Sequence, residues 1–161
     1  MALQALVQEE IQYLELWENS PRLPKSVQAQ LAGLSGKEKI RAAAPYFLIH
    51  QDVMVIARAM TALGFNPLEF LNSVGETIFD GNRRLMAANL LLDPTLATGV
   101  TKEKEDGSIL DYEAILTEWH NDMDPELLET LKAIPVIKFH PGIYTLESAT
   151  MELAKAQFAR G

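Results

Sequence analysis

The stretch Thr77-Ile78-Phe79-Asp80-Gly81-Asn82-Arg83-Arg84-Leu85-Met86-Ala87-Ala88-Asn89-Leu90-Leu91-Leu92 decides how the chain folds. Ile78 and Phe79 are a short apolar, strand-favouring run and Asp80 and Gly81 are turn formers. From Arg83 onward every residue except Asn89 is a strong helix former. The spacing predicts strand, tight turn, helix, with two arginines in the first helical turn. A helix N-terminus carries partial positive charge, so cations placed there need compensation. Asp80 is expected to cap the free amides, and Gly81 to give the backbone room to turn. The remaining amides and two guanidinium forks then describe an anion pocket of the kind that holds phosphate. Surface salt bridges beside an ordinary strand–helix junction are the other reading of the same spacing. The helix behind the arginines is apolar on nearly every side, which predicts that it is buried.

Working outward, Phe65 to Leu71 is expected to lead into the first strand of the core. Asn72-Ser73-Val74-Gly75 then turns back into Glu76–Phe79 as a hairpin. His50 to Leu63 reads as a helix, as do Ser26 to Leu34 and Lys37 to Leu48, with Pro45 bending or restarting the last. Apolar residues at 3, 6, 7, 11, 14 and 16 predict an amphipathic helix over Ala2 to Glu18, ended by Pro21 and Pro24. After Asp93-Pro94, Thr95 to Ser108 is polar and reads as a solvated, mobile loop. Ile109 to His120 and Pro125 to Leu131 are expected helices, Ile134 to Phe139 a strand, and Leu146 to Ala159 a closing helix. The expected class is α+β, a small mixed sheet flanked by several helices in a single domain over 1–161. Residues 1–50 would form a helical N-terminal part and 51–161 the core with the arginine motif.

Composition bounds the function. The 161 residues contain no cysteine, which removes disulfides, thiolate metal sites and cysteine nucleophiles and fits a cytoplasmic setting. No apolar run is long enough to span a membrane. With 22 acidic against 14 basic residues and a net charge of −8, the chain repels a polyanion over most of its surface, so DNA contact is expected only indirectly or through a region outside the chain. Gly33-Leu34-Ser35-Gly36-Lys37 lacks the glycine spacing, the Ser or Thr after lysine and the leading strand of a P-loop. His120 has no second histidine one turn away, so no metal site is expected, and His140 reads as a turn residue.

Asp80-Gly81-Asn82-Arg83-Arg84-Leu85, followed by Ala87-Ala88, resembles the G-x-R-R signature of the ParB/sulfiredoxin superfamily, in the Gly-Asn-Arg-Arg form of ParB-like domains of phage and bacterial proteins. Glu18-Asn19-Ser20-Pro21-Arg22 is similar to that family's N-P-R box, with Ser20 inserted. The run 53–70 resembles its helix, glycine and Pro-led strand, and Ile134-Pro135-Val136 its I-P-V strand. The likeness implies a ParB/sulfiredoxin fold over about residues 17–160 and a nucleoside triphosphate bound with Mg²⁺ by Arg22, Asp80, Gly81, Asn82, Arg83 and Arg84. Asn19, Asn66 and Glu147 are lesser contributors, and the chain would be the N-terminal domain of a longer protein. Asn82 stands where sulfiredoxins carry a catalytic cysteine, which removes sulfinic acid repair. Of the partition family's E-N-x-x-R box only Glu147 matches, in Glu147-Ser148-Ala149-Thr150.

Three functions follow as expectations. The first is a nucleotide switch or NTPase in a DNA-associated system. The second is a protein-interaction or assembly module that keeps the motif as structure. The third is small-molecule phosphoryl transfer of the kind a kinase branch of the superfamily performs on free serine. For that chemistry Glu18 is the candidate carboxylate, because Asp80 is expected to be occupied as a cap.

Overall fold

The computed structural model describes residues 3–160, so Ala2 and Gly161 lie outside it. Among the described residues the fold is α+β, with seven α-helices and a mixed five-stranded sheet. The strands are β1 (Gln4–Glu10), β2 (Glu15–Leu16), β3 (Leu71–Val74), β4 (Thr77–Asp80) and β7 (Ala133–Phe139). β7 lies between β1, to which it is antiparallel, and β3, to which it is parallel. β4 is antiparallel to β3 and parallel to β2. The helices are α1 (Lys25–Leu31), α2 (Gly36–His50), α3 (Val53–Leu63), α4 (Asn82–Leu92), α5 (Tyr112–Asp122), α6 (Pro125–Glu129) and α7 (Leu146–Arg160).

Alternation along β7 sorts the molecule into layers. Ile134 and Val136 face the main core with α2, α3, α4 and α5, whereas Ile137 and Phe139 face a smaller cluster with Trp17, Phe79 and Ala149 of α7. Helix α4 supplies Leu85, Met86, Ala87, Ala88, Leu90 and Leu91 to the main core, as its all-round apolar sequence requires. Among the described residues no helix is long and apolar enough to cross a membrane.

The N-terminus overturns its expected helix. Residues 4–10 are an edge strand paired with β7 from Gln4↔Phe139 to Glu10↔Ala133, followed by a short 3₁₀ turn at Ile11–Tyr13 and then β2. The apparent helical spacing joined residues with unlike fates: Leu6 is 59% exposed on the strand, while Ile11, Leu14 and Leu16 are buried in the turn and strand that follow. Pairing with a partner far along the chain overrode the local pattern. The hairpin is present but shifted, since Asn72–Val74 belongs to β3 and the turn sits at Gly75-Glu76. Pro45 neither ends nor restarts α2, which runs through it.

The polar segment 95–108 also carries structure. Pro94–Ala97 is a 3₁₀ turn, and β5 (Thr101–Glu103) and β6 (Ile109–Asp111) form a separate exposed hairpin, so α5 begins at Tyr112 and not at Ile109. Asp106 closes that hairpin, its Oδ1 accepting from the Ser108 amide at 2.9 Å and hydroxyl at 2.6 Å.

Lys39 of α2 is buried, with 5% exposure. Its Nζ donates to the Leu16 carbonyl at 3.2 Å and lies 3.3 Å from Glu15 and 3.7 Å from Glu18. Glu15 in turn accepts from the Gly36 amide at the start of α2 at 2.9 Å, so this cluster pins β2 to the helical layer. Lys39→Ala is expected to lower stability by about 1–3 kcal/mol, because a buried carbonyl and two carboxylates lose their donor. Urea denaturation checks this, and an unchanged midpoint would contradict it.

A candidate anion cleft at the strand–helix junction

The motif folds as its sequence requires. β4 ends at Asp80, Gly81 adopts φ +100°, and α4 starts at Asn82. Only glycine suits that left-handed angle with this neighbour, because a Cβ on Gly81 would collide with the Leu71 side chain and lie 3.1 Å from Arg84 Nη2. No side chain caps α4. Asp80, the expected cap, instead accepts from Asn72 Nδ2 at 3.0 Å through Oδ2. The first-turn amides of α4 are therefore left without a side-chain acceptor.

Asn82 braces the junction from within. Its Nδ2 donates to the Ile78 carbonyl at 3.0 Å, and its Oδ1 accepts a long 3.4 Å bond from the Trp17 amide. The two arginines divide their work. Arg84 is half-buried and donates Nη1 to the Glu69 carbonyl at 2.9 Å, with Nη2 3.5 Å from the Phe70 carbonyl. Arg83 is exposed and spends only Nε, on the Gln51 carbonyl at 2.8 Å. Its Nη groups, like the guanidinium of exposed Arg22, bond nothing among the described residues, and none of the three arginines has a carboxylate partner there.

All three arginines line one cavity of about 650 Å³, together with Asp80, Gly81, Asn82 and Asn66. Asn66 stands at the edge, its Oδ1 accepting from the Leu68 amide at 2.9 Å. Much of the remaining lining is apolar: Val55, Ala59, Met60 and Leu63 from α3, and Leu153 and Ala154 from α7. Of these, Val55 and Leu63 are 70% and 75% exposed. The cleft thus combines cationic side chains, which suit an anion, with apolar lining, which suits a weakly polar group.

Three expected residues do not line the cleft. Glu18 is turned to Lys39, and Asn19 and Glu147 are exposed elsewhere. The cleft carboxylates are Asp80 and Glu69, the second of which the sequence did not single out. Gln51 and the α7 residues Thr150 and Gln157 also line it unexpectedly. Gln51, expected inside a helix from His50 to Leu63, instead follows the end of α2 at the junction with α3, and nothing local told that α7 would fold back over the motif. Among the described residues no group of three His, Cys, Asp or Glu gathers as a metal-binding cluster. His120 is engaged by the Leu91 carbonyl and His140 accepts from the Gly142 amide in its turn. The chain shows no significant match to any protein-family model, curated protein or solved structure.

Arg84 ties the first turn of α4 to the 69–70 backbone, so Arg84→Ala is expected to cost about 1.5–3 kcal/mol of stability. Arg84→Lys, with its single point of donation, should recover only part of this. Thermal denaturation of both variants beside Arg83→Ala checks the division of labour. Equal, negligible losses in all three would contradict it.

Proposed function

We propose that the chain is a ParB-like nucleotide-binding domain that acts as a switch or NTPase in a DNA-associated bacterial or phage system. The observation that carries this reading is the convergence of Arg22 with Arg83 and Arg84, some sixty residues apart in sequence, on one cavity in which no guanidinium is neutralised by a carboxylate. The resemblance in the arginine motif and the N-P-R-like box points to that meeting, and a mixed sheet that leads into the motif through β4 is in keeping with a ParB/sulfiredoxin-like fold.

In this reading the phosphates sit against the first-turn amides of α4, the free fork of Arg83 and Arg22, while the base and sugar lie against the apolar lining from α3 and α7. Mg²⁺ accompanies the nucleotide and offsets phosphate charge. The free oxygen of Asp80 and the carboxylate of Glu69 are the hard oxygen donors in the cleft that would hold it. Arg84 keeps the wall in place. Phosphoryl transfer to a small hydroxyl compound loses support, since its candidate carboxylate Glu18 is committed to Lys39 outside the cleft. An assembly role with a vestigial pocket would be favoured by arginines satisfied internally by carboxylates, and their partners here are backbone carbonyls. With a net charge of −8, direct grip on DNA belongs to a partner or to another part of the protein.

Calorimetry with ATP, CTP, GTP and ADP in the presence of Mg²⁺ tests the reading. At least one is expected to bind, and Arg83→Ala and Arg22→Ala should each weaken it about tenfold or more. No binding by any of them at millimolar concentration overturns the proposal.

A further inference from the structure

A second cavity also borders α3, sharing Val55 with the first. It measures about 280 Å³, below the roughly 300–1,000 Å³ of drug-sized sites, and lies between the α2–α3 junction, the β5–β6 hairpin and α5. Leu48, Met54, Leu110, Ile115 and Trp119 make its apolar wall. Three of its lining residues carry polar groups, Asp52, Lys102 and Tyr112.

None of the three is engaged by another described residue, and Asp52 and Lys102 are exposed to solvent. Asp52 is the residue before α3, where an aspartate ordinarily accepts from the first-turn amides, yet its side chain makes no such bond. It is also the one non-glycine among the described residues with positive φ, +51°, an arrangement that costs backbone energy and returns no cap. Asp52 and Lys102 form no ion pair with each other or with any described residue. Tyr112 is only 3% exposed as a residue, and its hydroxyl, which makes no hydrogen bond to the described residues, is not among the fully buried polar atoms and so reaches solvent at the cavity mouth. Burial raises the Tyr112 hydroxyl above its ordinary pKa, and the nearby Asp52 charge adds to the rise, so it is a neutral donor at physiological pH.

Opposite charges that stay unpaired at the edge of one small apolar cavity are complementary to a zwitterion with an apolar body. We propose that this second cavity binds a free apolar α-amino acid, its ammonium facing Asp52 and its carboxylate facing Lys102, with the side chain against Trp119 and Ile115. The cavity borders the anion cleft, with Val55 lining both. The neighbour of Asp52, Gln51, carries the carbonyl that holds Arg83, so an occupant of the small cavity would bear on the position of that arginine.

The chain has two tryptophans, one at each cavity. Trp17→Phe therefore leaves Trp119 as a reporter of the small cavity alone. Titration of this variant with L-leucine is expected to change Trp119 emission saturably, at about millimolar concentration or below. 3-Methylbutylamine and 4-methylpentanoate, each lacking one of the two charges, should bind about tenfold or more weakly. Calorimetry on the chain with Trp17 intact and on Asp52→Asn keeps the test independent of the Trp17 substitution, since asparagine accepts the left-handed backbone. Leucine binding should fall by tenfold or more in Asp52→Asn. Absence of calorimetric binding, binding equal in Asp52→Asn, or binding that leaves Trp119 emission unchanged overturns the proposal.

Discussion

The left-handed turn at Gly81 is the constraint on which the rest of the site depends. It allows β4 to pass into α4 with no intervening loop, and the Leu71 side chain fills the space a Cβ would need. The helix thereby leaves the C-terminal end of β4, with its first turn at the cleft and its apolar length inside the main core. A helix buried on nearly all sides cannot shift without opening that core, so the amides and arginines at its tip are presented on a rigid base.

The electrostatics of the tip are resolved in a way that keeps the tip cationic. Two arginines at a helix N-terminus cost about 0.3–1 kcal/mol each at an exposed site. A carboxylate cap would relieve this and also cancel the charge. The chain instead uses carbonyls. Gln51 follows the last turn of the 15-residue α2, where the helix dipole is negative, and its carbonyl takes Arg83 Nε; Glu69 and Phe70 carbonyls take Arg84. Dipoles hold the guanidinium groups without neutralising them, and Asp80 is held off by Asn72. The arrangement leaves net positive charge inside a chain that is acidic as a whole.

Legibility in the sequence followed the range of the interactions. The strand–turn–helix at 77–92, the burial of α4 and the strand Ala133–Phe139 rest on local pattern, and the structure has them. The edge strand at Gln4–Glu10 depends on a partner that begins at residue 133, and a mixed apolar pattern there imitates a helix. Glu18 could be placed near the arginine box by proximity in sequence, but its pairing with Lys39 arises only when α2 packs on β2. The apolar lining of the cleft has the same origin, because α3 and α7 contribute to it from distant parts of the chain. Asp80 illustrates a competition between two satisfactory partners, the free amides of α4 and the side chain of Asn72 across the hairpin, which turn chemistry alone does not decide.

Residue-resolved amide hydrogen exchange, with and without the tightest-binding nucleotide and Mg²⁺, bears most directly on the claim that α4 presents an open anion site. In the free protein the amides of Asn82, Arg83 and Arg84 are predicted to exchange rapidly, since no side chain caps them, and nucleotide is predicted to protect them together with the cleft-facing segments of α3 and α7. First-turn amides already protected in the free protein, or protection confined to surfaces away from residues 81–84, would contradict the account.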